Sequence, residues 1–246
     1  MAEKQAVYVP ASTMTLLDHL RELRTRLVKV TVAVVLGLVA GFWLLQSTGF
    51  INYAILNFVG EQGVQITEVT EGFTTYISVA LTIGIILAMP VMIYQLLAFL
   101  TPGLNSAEKR WIYLGLPLVI GFFVGGIAFG WFITAPAAIS FLVNFASADS
   151  LGLIENKPAL RDFLGILTRL LLINGIIFEL PMVMFTLAKL KILQPAKVAK
   201  YRRFIVLAVV VIAAIVTPTG DPANLALIAV PMYLLFEFGL ILGRLA

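Results

Sequence analysis

Apolar residues along this chain fall in long unbroken blocks rather than in the alternation of a half-buried strand. Six blocks lie near residues 28–46, 74–97, 112–134, 163–187, 204–216 and 225–242. A bilayer core ~30 Å thick takes about 20 residues of helix at 1.5 Å each, so the blocks predict transmembrane helices. The fifth, Phe204 to Val216, reaches only ~20 Å before the turn Thr217-Pro218-Thr219-Gly220-Asp221-Pro222. The sixth is interrupted by Pro231 and Glu237, so short fifth and sixth helices are expected. Pro90, Pro117, Pro136 and Pro181 lie within or beside the other blocks and predict kinks and a concave shape.

Ahead of the first block, Leu16, Leu20, Leu23 and Leu27 recur at helical spacing, with charged side chains on the opposite face. Residues 12–27 therefore read as an amphipathic helix at a membrane surface, running into the first span, with Thr15 and Asp18 as its capping pair. The first block is longer than the apolar part of a secretory signal, and no Ala-x-Ala-like site follows it, so it is expected to persist as a span. No internal repeat divides the chain. Residues 1–246 read as one all-α polytopic transmembrane domain.

Composition agrees with the pattern. The chain is 61% hydrophobic and 12% charged, with mean hydropathy +1.02, too little charge for a soluble surface. The net charge of +4 does not call for nucleic acid, because the basic residues sit in alternate gaps between blocks. Lys4, Arg21, Arg24, Arg26 and Lys29 flank the start of the first span, and Lys109 and Arg110 occupy the second loop. Lys189, Lys191, Lys197, Lys200, Arg202 and Arg203 fill the fourth, whereas the first has Glu61, Glu68 and Glu71 and no base. The positive-inside rule then places both termini in the cytoplasm. With no Cys, disulfides and thiol chemistry are excluded.

Candidate chemistry is confined to a few side chains. Glu22, on the amphipathic helix, stands where a cationic ligand meets the membrane; it is also spaced to pair with Arg26 one turn on. Glu108, in the second loop, is flanked by Lys109 and Arg110. Glu179 falls inside the fourth block, and an intramembrane carboxylate is expensive enough to suggest function. Arg169 precedes it by about 15 Å along the helix and is turned ~80° away, so snorkelling or pairing with Asp162 is expected instead. Glu237 reads as interfacial, the lone His19 as solvated or capping, and Asp221 as a turn former. One histidine and no phosphate-binding loop leave no metal site and no catalytic set, and no enzyme activity or cofactor is expected.

The order of several motifs is more specific. His19-Leu20-Arg21-Glu22-Leu23-Arg24-Thr25-Arg26 is followed by Pro90, Tyr94-Gln95 and Phe99-Leu100-Thr101-Pro102-Gly103-Leu104. Then come Glu108-Lys109-Arg110, Phe178-Glu179-Leu180-Pro181, Thr217-Pro218 with Asp221, and Pro231-Met232-Tyr233 with Phe236-Glu237. Over nearly its whole length the chain resembles the TatC subunits of the twin-arginine protein translocase. It departs from that pattern at Asn57, near the place of a usual proline, in a longer Thr-Pro…Asp turn, and at Asn224-Leu225, where a glutamine is often found.

The resemblance implies a six-helix receptor with both termini inside, in a prokaryotic inner membrane or a thylakoid-type membrane. Such a protein binds twin-arginine signal peptides of folded cargo, and docks small single-spanning TatA- and TatB-type subunits. It forms homo-oligomers within the receptor complex, and transport is driven by the proton-motive force. By the same resemblance Glu22, Arg24, Phe99 and Glu108 form the signal-peptide site, and Glu179 marks an intramembrane polar groove. The short fifth and sixth spans are expected to expose an intramembrane polar edge to partner helices, with Thr217 and Asn224 as its docking groups, since lone polar side chains facing lipid are costly; the resemblance raises Asp221 to a functional loop position. An arginine pair is a dication with planar forks, which carboxylates meet best. From the residues alone, a secondary transporter or channel using Glu179 and Arg169 is the rival reading, and a scaffold without a substrate the third.

Overall fold

The structure, a computed structural model, describes residues 16–100, 106–145, 157–189, 191–217 and 221–245, with backbone alone at 16, 100, 106–114 and 145. The chain opens with α1 (Leu16–Thr48), α2 (Phe50–Phe58) and α3 (Glu71–Leu100). Next, α4 (Ser106–Phe129) passes through a π-helical turn (Gly130–Thr134) into α5 (Ala135–Phe145). After α6 (Leu160–Phe178) and α7 (Leu180–Lys189), the short α8 (Pro195–Val198) leads to α9 (Arg202–Val216) and α10 (Pro222–Leu245). Among the described residues, five helical stretches are long and apolar enough to cross a membrane: Leu17–Thr48, Glu71–Phe99, Gly115–Asn144, Leu160–Lys189 and Pro222–Leu245.

The fifth apolar block forms α9, whose 15 residues measure only about 22 Å. The expectation of a short sixth helix is corrected. α10 runs for 24 residues, about 36 Å, straight through Pro231 and Glu237. A proline removes only one backbone donor, which a membrane helix tolerates when its neighbours pack. Glu237 is held in a fork by Arg202 (2.7 Å at both nitrogens) and accepts a hydrogen bond from the Tyr233 hydroxyl (2.8 Å). The charge that was expected to interrupt α10 instead ties it to the first turn of α9. From Leu16 onward the amphipathic segment and the first span form one continuous helix, α1; residues 12–15, Thr15 among them, lie outside the described residues.

Small residues decide how closely the helices approach. α1 and α3 run antiparallel and touch backbone to backbone: a Cβ added at Gly37 would stand 2.3 Å from the Gly84 carbonyl oxygen. α4 meets α6 in the same way, with a Cβ at Gly126 falling 2.5 Å from the Asn174 carbonyl. Such contacts replace the hydrophobic drive that lipid removes. α6 is the central element. Its Leu164, Leu167 and Leu170 are fully buried, whereas α9 buries only Val209 and Ala213, one stripe set against α10 and continued by Thr217 just past its end.

At the end where α3 and α6 begin, the loops are pinned together. Gln65 donates to the Pro158 carbonyl (3.1 Å) and accepts from the Leu160 amide (2.9 Å). The Glu71 carboxylate takes both the amide and the hydroxyl of Thr67 (2.5 and 2.7 Å), the Glu68 amide (3.2 Å) and the Arg161 amide at the start of α6 (3.0 Å). One side chain thus caps α3 and tethers it to α6.

Candidate functional site

The antiparallel pairing of α1 and α3 brings the first turns of α1 beside the last turns of α3. There Glu22 and Arg26, one turn apart, form an ion pair: Arg26 Nε donates to Glu22 Oε1 at 3.0 Å, and Nη2 reaches the same oxygen. Arg26 Nη1 extends to the Oε1 of Gln95 on α3 (3.3 Å). Both charged side chains are only about a fifth exposed (19% and 21%), and Gln95 is buried. The second carboxylate oxygen, Glu22 Oε2, is buried with no hydrogen-bond partner among the described residues. A half-satisfied carboxylate in a partly dry site is an unmet acceptor, and a second guanidinium fork would complete it.

His19 corrects the expectation of a solvated or capping residue. Its ring stacks on Phe99 with centroids 4.3 Å apart, forming an aromatic wall one turn from Glu22. Leu20, Leu23 and Leu27 are all exposed, and it is Glu22 and Arg26 that α1 turns toward α3, while Arg21 and Arg24 stay exposed. Of the predicted site residues, Glu22 and Phe99 are therefore brought to one place. Arg24 is exposed on α1, and Glu108 lies in the first turn of α4, described by its backbone alone. The Thr101-Pro102-Gly103-Leu104 motif falls outside the described residues.

Glu179 caps α6 at the break before α7, which Pro181 enforces, and is buried with Oε1 unpartnered among the described residues. Arg169 is exposed and forms no pair with Asp162, one of the two alternatives expected of it, although both line one groove. Thr217 and Asn224 also need correction as an exposed polar edge. Each is 6% exposed; Thr217 Oγ1 donates to the Ala213 carbonyl (2.6 Å), and Asn224 Nδ2 to Asp221 Oδ2 (2.8 Å). Asp221 Oδ1 in turn accepts from the Asn224 amide (2.9 Å), making Asp221 the N-cap of α10 with Pro222 as its first residue. The polar groups satisfy one another inside the chain.

Sequence reasoning gave no role to Gln95, although a lone amide within an apolar block is a visible signal. The Arg202–Tyr233–Glu237 cluster was hidden, because its members are 35 residues apart in part and only the α9–α10 packing joins them.

Fold and site together define a polytopic helical membrane protein with a half-satisfied carboxylate–guanidinium pair held at one end of its bundle. Residues 18–231 match the family model for the Sec-independent protein translocase protein TatC. The TatC protein of Deinococcus radiodurans is 32% identical, the alignment covering 98% of this chain and 91% of that one. TatCy of Bacillus subtilis is 31% identical over 95% of this chain and 90% of its own. A crystal structure of the twin-arginine translocase receptor TatC superposes with a TM-score of 0.78 at 31% identity, covering 92% of this chain and 98% of that one. The chain belongs to the TatC family. It is a membrane-embedded subunit of the twin-arginine protein translocase, and its relatives are named as transport components.

Proposed function

We propose that this protein is the signal-peptide receptor of its translocase and that Glu22 and Glu108 accept the paired arginines. It would carry folded proteins across a prokaryotic inner membrane at the expense of the proton-motive force. α9 completes a six-span topology with both termini inside, and small single-spanning Tat subunits assemble with it. The observation that carries the reading is Glu22. Its one oxygen is held by Arg26 and its other is buried and open, beside the His19–Phe99 wall. Such a site has room in its bonding for one more guanidinium and an apolar contact for the residues that follow it. A transporter pathway through Glu179 and Arg169 gains no support, since Glu179 is not among the walls of the groove that holds Arg169.

The test is binding of a labelled twin-arginine peptide to purified protein. Glu22→Gln and Glu108→Gln each keep shape and remove charge, and each should weaken binding roughly ten- to a hundred-fold, the worth of a charge-assisted bond of about 1.5–3 kcal/mol. Normal binding and export by both variants would refute the site.

A further inference from the structure

A second polar feature lies far from the Glu22 cluster. Between α3 and α6, at the end where both helices begin, an open groove of about 950 Å³ runs inward from the surface. α3 contributes Thr75, Ser78 and Thr82, which share one helical face, and α6 contributes Arg169. Two carboxylates, Glu68 and Asp162, stand nearer its mouth.

Two of these groups lack partners. Arg169 has no ion pair or hydrogen bond among the described residues, although a guanidinium is charged at any accessible pH. Thr75 is 3% exposed, and its hydroxyl, unlike those of Ser78 and Thr82, has no acceptor among the described residues. Glu71 is fully engaged by its four donors, so the open acids are Glu68 and Asp162. The mouth carries Glu68, Asp162 and the engaged Glu71 against the single cation Arg161, a net negative charge; Thr75, one turn in from Glu71, offers its spare hydroxyl, and Arg169 lies deeper.

Depth fixes what such a groove can meet. Arg169 lies about 13 Å along α6 from Leu160. The Leu160–Lys189 stretch of 30 residues is ~45 Å long, so ~7 Å extends beyond a ~30 Å core at each end. Arg169 is then only ~6 Å inside the core boundary, within the reach of an arginine side chain snorkelling toward phosphate. Val79, Ile166 and Leu172 give the groove an apolar lining as well.

We propose that the groove binds the headgroup of a zwitterionic, primary-amine phospholipid. Its phosphate bonds to Arg169 and Thr75, its ammonium faces Asp162 and Glu68 toward water, and its acyl chains leave along the apolar lining. The ordering of charge matches this headgroup, whose amine lies outside its phosphate. A lipid bearing phosphate alone leaves the carboxylates repelling it, and a quaternary amine offers them no N–H donor.

The experiment uses the full-length protein, delipidated in detergent and titrated with defined lipids by native mass spectrometry. Phosphatidylethanolamine should be retained at least ten-fold better than phosphatidylcholine or phosphatidylglycerol of the same chains. Arg169→Gln should abolish that retention and Arg169→Lys reduce it. Glu68→Gln with Asp162→Asn should reverse the preference toward phosphatidylglycerol, a gain that misfolding cannot produce. Equal retention of the three lipids, or unchanged selectivity in Arg169→Gln and the double variant, overturns the proposal. Equal competition by water-soluble glycerophosphoethanolamine overturns the lipid as its source.

Discussion

If Glu22 receives an arginine from the signal peptide, Arg26 is already in the ligand's place. It holds Glu22 Oε1 through two nitrogens and leans on Gln95, as an incoming guanidinium would. A peptide arginine must either displace it or accept the single free oxygen. Arg26→Met keeps the length and the apolar stem but removes the fork. An exposed i,i+4 pair is worth about 0.3–0.5 kcal/mol, and a charge-assisted hydrogen bond about 1.5–3. With both side chains about a fifth exposed, the pair lies between these limits, at about 1–2 kcal/mol. Removing Arg26 raises the free energy of the empty receptor by that amount, and the bound state recovers it. Affinity for a twin-arginine peptide should therefore rise about five- to thirty-fold.

Selectivity should fall at the same time. A lysine ammonium is a point charge and competes poorly with a fork already in place, but it can approach a bare carboxylate freely. The ratio of affinities for Arg-Arg and Lys-Lys peptides should shrink in Arg26→Met and recover in part with Arg26→Lys. The assay is fluorescence anisotropy of labelled peptides on purified protein at one fixed salt concentration. Weaker binding of the twin-arginine peptide by Arg26→Met, beside weakened binding by Glu22→Gln, would refute this reasoning; Arg26 would then orient the carboxylate instead of competing for it.

Three further outcomes follow from the fold. Single cysteines at Glu68 and Asp221 should react with an impermeant thiol reagent from outside and one at Lys197 should not; labelling at Lys197 alone would invert the topology. Gly84→Val should destabilise the α1–α3 contact by about 1–3 kcal/mol, read as a lower denaturation midpoint, because its Cβ would fall 2.5 Å from the Leu38 amide nitrogen, an atom that cannot move aside. Glu71→Ala should speed proteolysis of the first loop, with Glu71→Gln milder, since four donors lose their acceptor in the first and only some in the second; equal resistance in all three proteins would show that the Gln65–Ala159 bridge holds the loops alone.

The apolar blocks were legible because bilayer thickness is a hard length constraint, and a block either meets it or does not. The error at α10 had a definite cause. Pro231 and Glu237 were weighed as local defects, whereas Arg202 neutralises the glutamate across 35 residues of sequence. Thr217 and Asn224 mislead for a different reason: their partners Ala213 and Asp221 lie within one turn, and what the pattern leaves open is the burial of that face. Helical position tells which residues share a face, but not whether that face meets lipid, a partner or the chain itself. Here Val209 and Ala213 are the stripe that α9 turns inward, and Thr217 continues it just past the helix end.

The candidate site was half legible for a related reason. Glu22 and Phe99 were named from the motifs, and the i,i+4 spacing made the Arg26 pair visible as an alternative to ligand binding. The two readings are not exclusive. A carboxylate kept in a partly dry site without any cation would be costly, so an empty receptor needs an internal partner for Glu22. That partner must also be weak enough to yield, and an i,i+4 arginine gripping one oxygen meets both demands. What no spacing could disclose is Gln95, which reaches Arg26 from 69 residues away. By accepting from the third guanidinium nitrogen it offers Arg26 a second home when a ligand takes the carboxylate. The pair that looked like the bland explanation for Glu22 is then the arrangement that leaves it ready for exchange.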